Sequence, residues 1–200
     1  MCYQGCTSDN REESGISPTS FVITPDLLFL WDNLFYYNWS VAAYDGLDYG
    51  ANSTERNISI QAELIETLSV ANVTFDTKNV GDTDNTTDDD PPPLRMNNGG
   101  NARVNVTLSS SQALWISQPL GTKYFQFKVD NYTEENGSFI WDGSNTTFTN
   151  IAATESFAFN ELNYSDATDE AEIDLLIEVP SDEPTGDKES AVVLTASLSE

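Results

Sequence analysis

Between residues 82 and 90 the chain reads DTDNTTDDD, with carboxylates at Asp82, Asp84, Asp88, Asp89 and Asp90 and an amide at Asn85. Hard oxygen donors at this density are what Ca²⁺ coordination uses. An EF-hand counted from Asp82 fails: its sixth position is Thr87 where the turn needs glycine, and its twelfth is Pro93 where a bidentate glutamate is needed. Two readings remain, an irregular Ca²⁺ loop and a solvated acidic loop, and the composition favours the second. Asp166, Asp169, Glu170 and Glu172 form another acidic cluster with the same two readings.

Other chemistry is scarce. The chain has no histidine, which removes Ser-His-Asp and Cys-His catalysis and the usual zinc sites. Cys2 and Cys6 are its only cysteines; two thiols cannot close a zinc site, and one short disulfide there would stabilise little of the remaining chain. Paired carboxylates could hydrolyse a glycoside, but among 33 acidic residues some pair falls at a suitable distance by accident. Trp31, Trp39, Trp115 and Trp141 could form a carbohydrate platform, although in alternating strands tryptophans more often serve the core. Lys123 and Lys128, two of eight bases, read as salt-bridge partners. We assign no catalytic residue and expect no enzyme.

The formal charge of −25 repels nucleic acid and anionic lipid and repels copies of the chain itself. No stretch reaches the ~20 apolar residues of a membrane span, and no signal peptide is recognisable; the expectation is either a mature or truncated form or an export signal encoded upstream. Export is nonetheless indicated. Ten N-x-S/T sequons occur, at Asn38, Asn52, Asn57, Asn72, Asn85, Asn105, Asn131, Asn136, Asn145 and Asn163. The asparagine, serine and threonine content would give about four by chance. The excess points to a glycosylated exterior protein, the alternative being that these residues cluster in turns.

The elements that must carry these residues read as strands. KYFQFKV (123–129) alternates Phe125, Phe127 and Val129 against Tyr124, Gln126 and Lys128, and EIDLLIEV (172–179) alternates Ile173, Leu175, Ile177 and Val179. ARVNVTL, ALWIS (113–117), SFIW, TTFT, SFAF and AVVLTAS (191–197) are further strand candidates. LIETLSVANVTF (64–75) is extended, with a parity break near Asn72-Val73 that predicts a bulge. Turn clusters recur about every 8–14 residues without an amphipathic helix. This spacing predicts an all-β chain with an Ig-like or jelly-roll-type antiparallel β-sandwich over 62–200. A short β-rich Ig-like piece over 19–61 and a flexible tail over 1–18 precede it. Pro91-Pro92-Pro93 suits entry to an edge strand, and Asn97-Asn98-Gly99-Gly100 permits a positive-φ turn into ARVNVTL.

The motif order NVTFDTKNVGDTDNTTDDDPPPLRMNNGGNARVNVTL, KYFQFKVDN and NYSDATDEAEIDLLIEVPSDEPTGDKESAVVLTAS resembles secreted β-sandwich domains of surface proteins from small-genome archaea. In those domains a GDT…PP loop precedes an N-x-GN-x-x-VNV strand, and a VPS-x-x-P-x-G hairpin closes the fold. They are loosely similar to camelysin-type biofilm-fibre subunits. YNWSVAAYDGLDYGANSTERNISI resembles the last two strands of an Ig-like domain. The resemblance spans roughly 37–198, rests mostly on turn and core positions, and implies a surface role without catalytic residues.

The expected function is therefore that of an extracellular structural protein of a cell-surface layer or filament. Its expected partners are copies of itself or other surface proteins. SFVIT (20–24), with Phe21, Val22 and Ile23, is the candidate donor strand for pairing with a neighbour, the alternative being that it pairs within its own domain. The alternative is a carbohydrate- or partner-binding adhesin module.

Overall fold

The computed structural model describes residues 61–199 in full, together with the backbone of β1 (Tyr36–Trp39) and β2 (Arg56–Ser59). These two strands pair antiparallel, Tyr36 opposite Ser59 and Trp39 opposite Arg56. Cys2, Cys6, the 20–24 segment, Trp31 and Asn52 lie outside the described residues, as do the side chains of Asn38, Trp39 and Asn57.

Nine further strands follow among the described residues: β3 (Glu66–Val70), β4 (Thr83–Asn85), β5 (Leu94–Asn98), β6 (Val104–Ser110), β7 (Phe125–Asn131), β8 (Thr149–Asn150), β9 (Ser156–Leu162), β10 (Glu170–Glu178) and β11 (Val192–Leu198). One antiparallel sheet runs β3-β5-β10-β7-β8, with β4 also paired to β10. A second runs β11-β6-β9. Residues 61–199 are thus all-β in two antiparallel sheets, consistent with a sandwich.

Period-2 alternation explains why these segments pair this way round. Val104, Val106 and Leu108 are wholly buried, as are Phe127, Val129 and Ile173, while the residues between them on β6 and β7 face outward. Leu94, Met96, Phe125, Leu175, Ile177, Phe159 and Leu162 belong to the same core, with Trp115, Phe139, Ile151, Ala158, Ala171 and Val179. Each large side chain withdrawn from water contributes about 1.5–3 kcal/mol. A one-residue slip of β7 against β10 would turn Phe125, Phe127 and Val129 to the outer face, so burial fixes the register. The inward residues expected of KYFQFKV and EIDLLIEV are the ones found.

Several expectations differ from the observed chain. ALWIS forms no strand. Trp115 is buried with its Nε1 donating to the Tyr124 carbonyl at 2.9 Å, and the backbone N–H groups of Ile116 and Ser117 go to a side chain instead of a ladder. SFIW contributes a single bridge, Ile140 to Asn160, and TTFT only the first residue of β8. The bulge falls between Leu68 and Val70, earlier than expected. β5 is not an edge strand, since β3 and β10 flank it. Gly99 and Gly100 do not take positive φ. Gly100 is required for closeness: a Cβ there would lie 2.3 Å from the Glu63 carbonyl oxygen. Asn98, buried at the end of β5, donates to the carbonyls of Ala102 and Leu162 and holds the corner into β6.

Candidate functional site

The charged residues gather on the outer face of the larger sheet. Alternation places Arg95 of β5, Lys128 and Asp130 of β7, and Glu172 and Asp174 of β10 on that face, opposite the core. Arg95 Nη2 meets Glu172 Oε1 at 3.1 Å, and the guanidinium stacks 3.5 Å from the Tyr132 ring centroid. Lys128 Nζ lies 2.6 Å from Asp130 Oδ2 and 3.1 Å from Asp174 Oδ2. Asp174 is buried, and Thr86 covers it. The Thr86 hydroxyl donates to Asp174 Oδ1 at 2.8 Å and accepts from the Leu175 N–H at 3.0 Å.

Burial raises the Glu172 pKa against the pull of Arg95. Burial also works against the Lys128 ammonium, but its bonds to Asp130 and Asp174 outweigh it and hold the pKa above the ordinary lysine value. Glu172 and Asp174, the two carboxylates buried on this face, thus each have a cation or a hydroxyl beside them, which is the condition for burying charge without large penalty. The arrangement ties three strands and a loop together and explains why β10 is covered on both faces.

The five candidate Ca²⁺ ligands do not converge. Asp84 pairs with Lys78 at 2.6 Å, and Asp82 Oδ2 accepts from the Asn79 N–H at 2.7 Å. Asp88, Asp89 and Asp90 are exposed, with Asp89 at φ 63° and Asp88 accepting from the Asp90 N–H. In the second cluster Asp166 is exposed, Asp169 is buried with a pKa raised by desolvation and by Glu135, and Glu172 faces Arg95. Among the described residues no three acidic or cysteine side chains form a group suited to a metal ion.

A second polar centre lies in the VPSDEPTG segment, which leads from β10 in the larger sheet to β11 in the smaller and so is not the hairpin that the resemblance implies. Glu183 is buried, and its carboxylate accepts from the Ile116 N–H (3.0 Å), the Ser117 N–H (2.9 Å) and the Ser117 hydroxyl (2.7 Å). Lys188 lies 2.8 Å away. Burial opposes the charge, yet Lys188 and the Ser117 and Ile116 donors bring the pKa down to about 2. This clamp, Thr86, Asp174 and Arg95 are not among the residues that sequence reasoning singles out. For the outer face a signal exists, since Lys128, Asp130, Glu172 and Asp174 all occupy the outward parity of two strong strands. For Glu183 there is none, because the backbone groups it accepts from lie 66 and 67 residues away, and only Lys188 is near it in the chain.

The described sequons all reach solvent. Asn72 and Asn136 are exposed, and Asn85, Asn105, Asn131, Asn145 and Asn163 are half-buried. The two asparagines buried among the described residues, Asn98 and Asn101, belong to no sequon. Asn105 points outward between buried Val104 and Val106, as alternation requires. Of the tryptophans, Trp115 is buried. Trp141 is half exposed and stacks on Phe139 with centroids 5.7 Å apart. Lys123 bridges to Glu178 at 2.7 Å and Lys128 to Asp130 and Asp174, as expected. No helix among the described residues is long and apolar enough to cross a membrane. No family model, no curated protein and no solved structure matches this chain.

Proposed function

We propose that this chain is a non-enzymatic extracellular structural protein of a cell-surface layer or filament, assembling with copies of itself through β-strand pairing. The observation that carries the reading is the partition of asparagines: each described sequon asparagine meets solvent, while the buried ones are outside sequons. A surface bearing neutral sugar would dilute a charge of −25 that otherwise keeps copies apart. The non-consecutive neighbours β5-β10-β7 and β11-β6-β9 support an Ig-like or jelly-roll-type connectivity for the sandwich. The donor in this reading is SFVIT, whose Phe21 and Ile23 share one parity and would lie on a neighbour's core. Intact mass of native-source protein tests the surface reading: added hexose on several sequons is expected, and a bare polypeptide mass refutes it. Deleting residues 1–24 tests the donor: polymers should vanish, and unchanged assembly sinks it.

Trp141 favours a second reading, an adhesin module. Its half-exposed ring adjoins exposed Ile140 and could stack on a sugar or a partner's aromatic side chain. Glycan titration of wild type and Trp141→Ala decides between them, since only an adhesin loses binding.

A further inference from the structure

We infer that the free edge of β11 is a docking site for β11 of a second copy, the two strands pairing antiparallel about a two-fold axis. The inference rests on the self-assembly reading above and adds a second contact to it. Among the described residues β11 pairs with β6 alone, Val192 opposite Ser110 through Leu198 opposite Val104, without a bulge. The Ser199 N–H donates to the Arg103 carbonyl just beyond that ladder. The alternation of antiparallel bonding then turns the backbone groups of Val193, Thr195 and Ser197 toward β6, and those of Val192, Leu194, Ala196 and Leu198 toward the open edge. None of these four outward residues has a backbone partner there among the described residues.

The other described edges are short or protected, β4 having three residues, and this one is neither. β3 carries Glu66 and a bulge, and β8 has two residues. β9 is covered by 140–145, through Ile140 N–H to the Asn160 carbonyl and Asn145 N–H to the Ala158 carbonyl. β1 and β2 have four residues each. β11 has seven residues, no charge, no proline and no bulge, and its neighbour β6 is also uncharged. Natural proteins usually blunt such an edge.

Charge selects the occupant. Two bodies of −25 meet most easily where neither presents a carboxylate, and 190–199 contains no charged residue. Of the nearby acids, Glu155 is engaged by the hydroxyls of Thr107 and Thr195, and Glu189 lies outside the paired residues 192–198. The strand is also self-complementary. With Thr195 opposite its own copy, Val192 faces Leu198 and Leu194 faces Ala196, so every outward group finds a partner. Four such pairs exchange about eight bonds. They would also cover Val192, Leu194 and Ala196, which pack against the core yet stay partly exposed, and Leu198 at 44% exposure. A two-fold contact closes on itself, so filaments need the donor-strand contact in addition. Since a single strand edge falls below the ~1,200 Å² of stable interfaces, the dimer is concentration-dependent and strengthens with salt.

The test uses the full chain with Cys2→Ser and Cys6→Ser. Thr195→Cys places two thiols at the two-fold axis in a non-hydrogen-bonded pair, where Cα atoms approach within disulfide range. A covalent dimer linked through that single introduced thiol is expected under mild oxidation. Separately, hydrogen exchange should show the amides of Val192, Leu194, Ala196 and Leu198 gaining protection with concentration, while Val193, Thr195 and Ser197 are protected throughout. Ala196→Pro removes an outward N–H only and should weaken dimerisation by about tenfold or more. If the chain assembles but neither the disulfide nor the alternating protection appears, the β11 contact is wrong and self-assembly stands. Protection of the four amides without the disulfide means another strand, such as 20–24, occupies the edge, which also overturns the inference. A chain monomeric at all concentrations refutes both.

Discussion

Replacing Glu183 by glutamine keeps the shape of the clamp and removes its charge. In the wild type, Oε1 takes the Ile116 N–H and Lys188, and Oε2 takes the Ser117 N–H and hydroxyl. The amide offers one acceptor oxygen, so on whichever side the NH₂ falls, backbone or ammonium donors lose their partner. Hydrogen bonds to a charged group are worth about 1.5–3 kcal/mol. Exposed Asp182, Pro184, Thr185 and Asp187 bring solvent close, and its screening reduces the expected loss to about 2 kcal/mol for the set. The pH dependence follows from the depressed pKa. A carboxylate lowered from 4.5 to about 2 stabilises the fold above its unfolded pKa and loses that contribution as pH falls through the folded one. The glutamine penalty should therefore be full at pH 7 and shrink between 4.5 and 2, as the wild type becomes neutral too. Urea melts of both proteins at about pH 7, 4.5 and 3 read this directly. A penalty below about 0.5 kcal/mol at neutral pH, or one equal at all three pH values, would refute the reasoning.

Lys128→Met leaves Asp174 buried without its cation and should cost about 3–5 kcal/mol in chemical denaturation; a loss within error would mean that Thr86 alone satisfies Asp174. Gly100→Ala forces its new methyl against the Glu63 carbonyl, and a loss of about 1–3 kcal/mol is expected, read as a lowered melting temperature. Phe127→Ala empties the centre of the core and should cost about 3–5 kcal/mol in the same melts. Cations should stabilise the chain by screening, so NaCl and CaCl₂ at matched ionic strength should raise the melting temperature equally. An increment from micromolar Ca²⁺ would instead mark a specific site.

The strands that alternate strongly are legible in the sequence. KYFQFKV and EIDLLIEV have inward residues large enough that only one register buries them, so period alone sets their orientation. ALWIS has the composition of a strand, but its tryptophan is anchored through the indole N–H and a distant carboxylate takes two of its backbone N–H groups, and neither leaves a mark in the local pattern. The Asn-Gly corner has the chemistry of a positive-φ turn, whereas Gly100 is needed for close approach to Glu63, a contact between segments far apart in the chain. The acidic loop is equally ambiguous. Whether five aspartates converge depends on where Lys78 and Asn79 fall, and spacing cannot give that. The outward direction of Asn105 is legible, since its valine neighbours fix the parity.

Electron microscopy of the full chain, purified from its native source and concentrated in high salt, bears most directly on the proposed structural role. Filaments or a lattice should form, and their abundance should rise with protein concentration. Particles that stay strictly monomeric under those conditions would contradict that role.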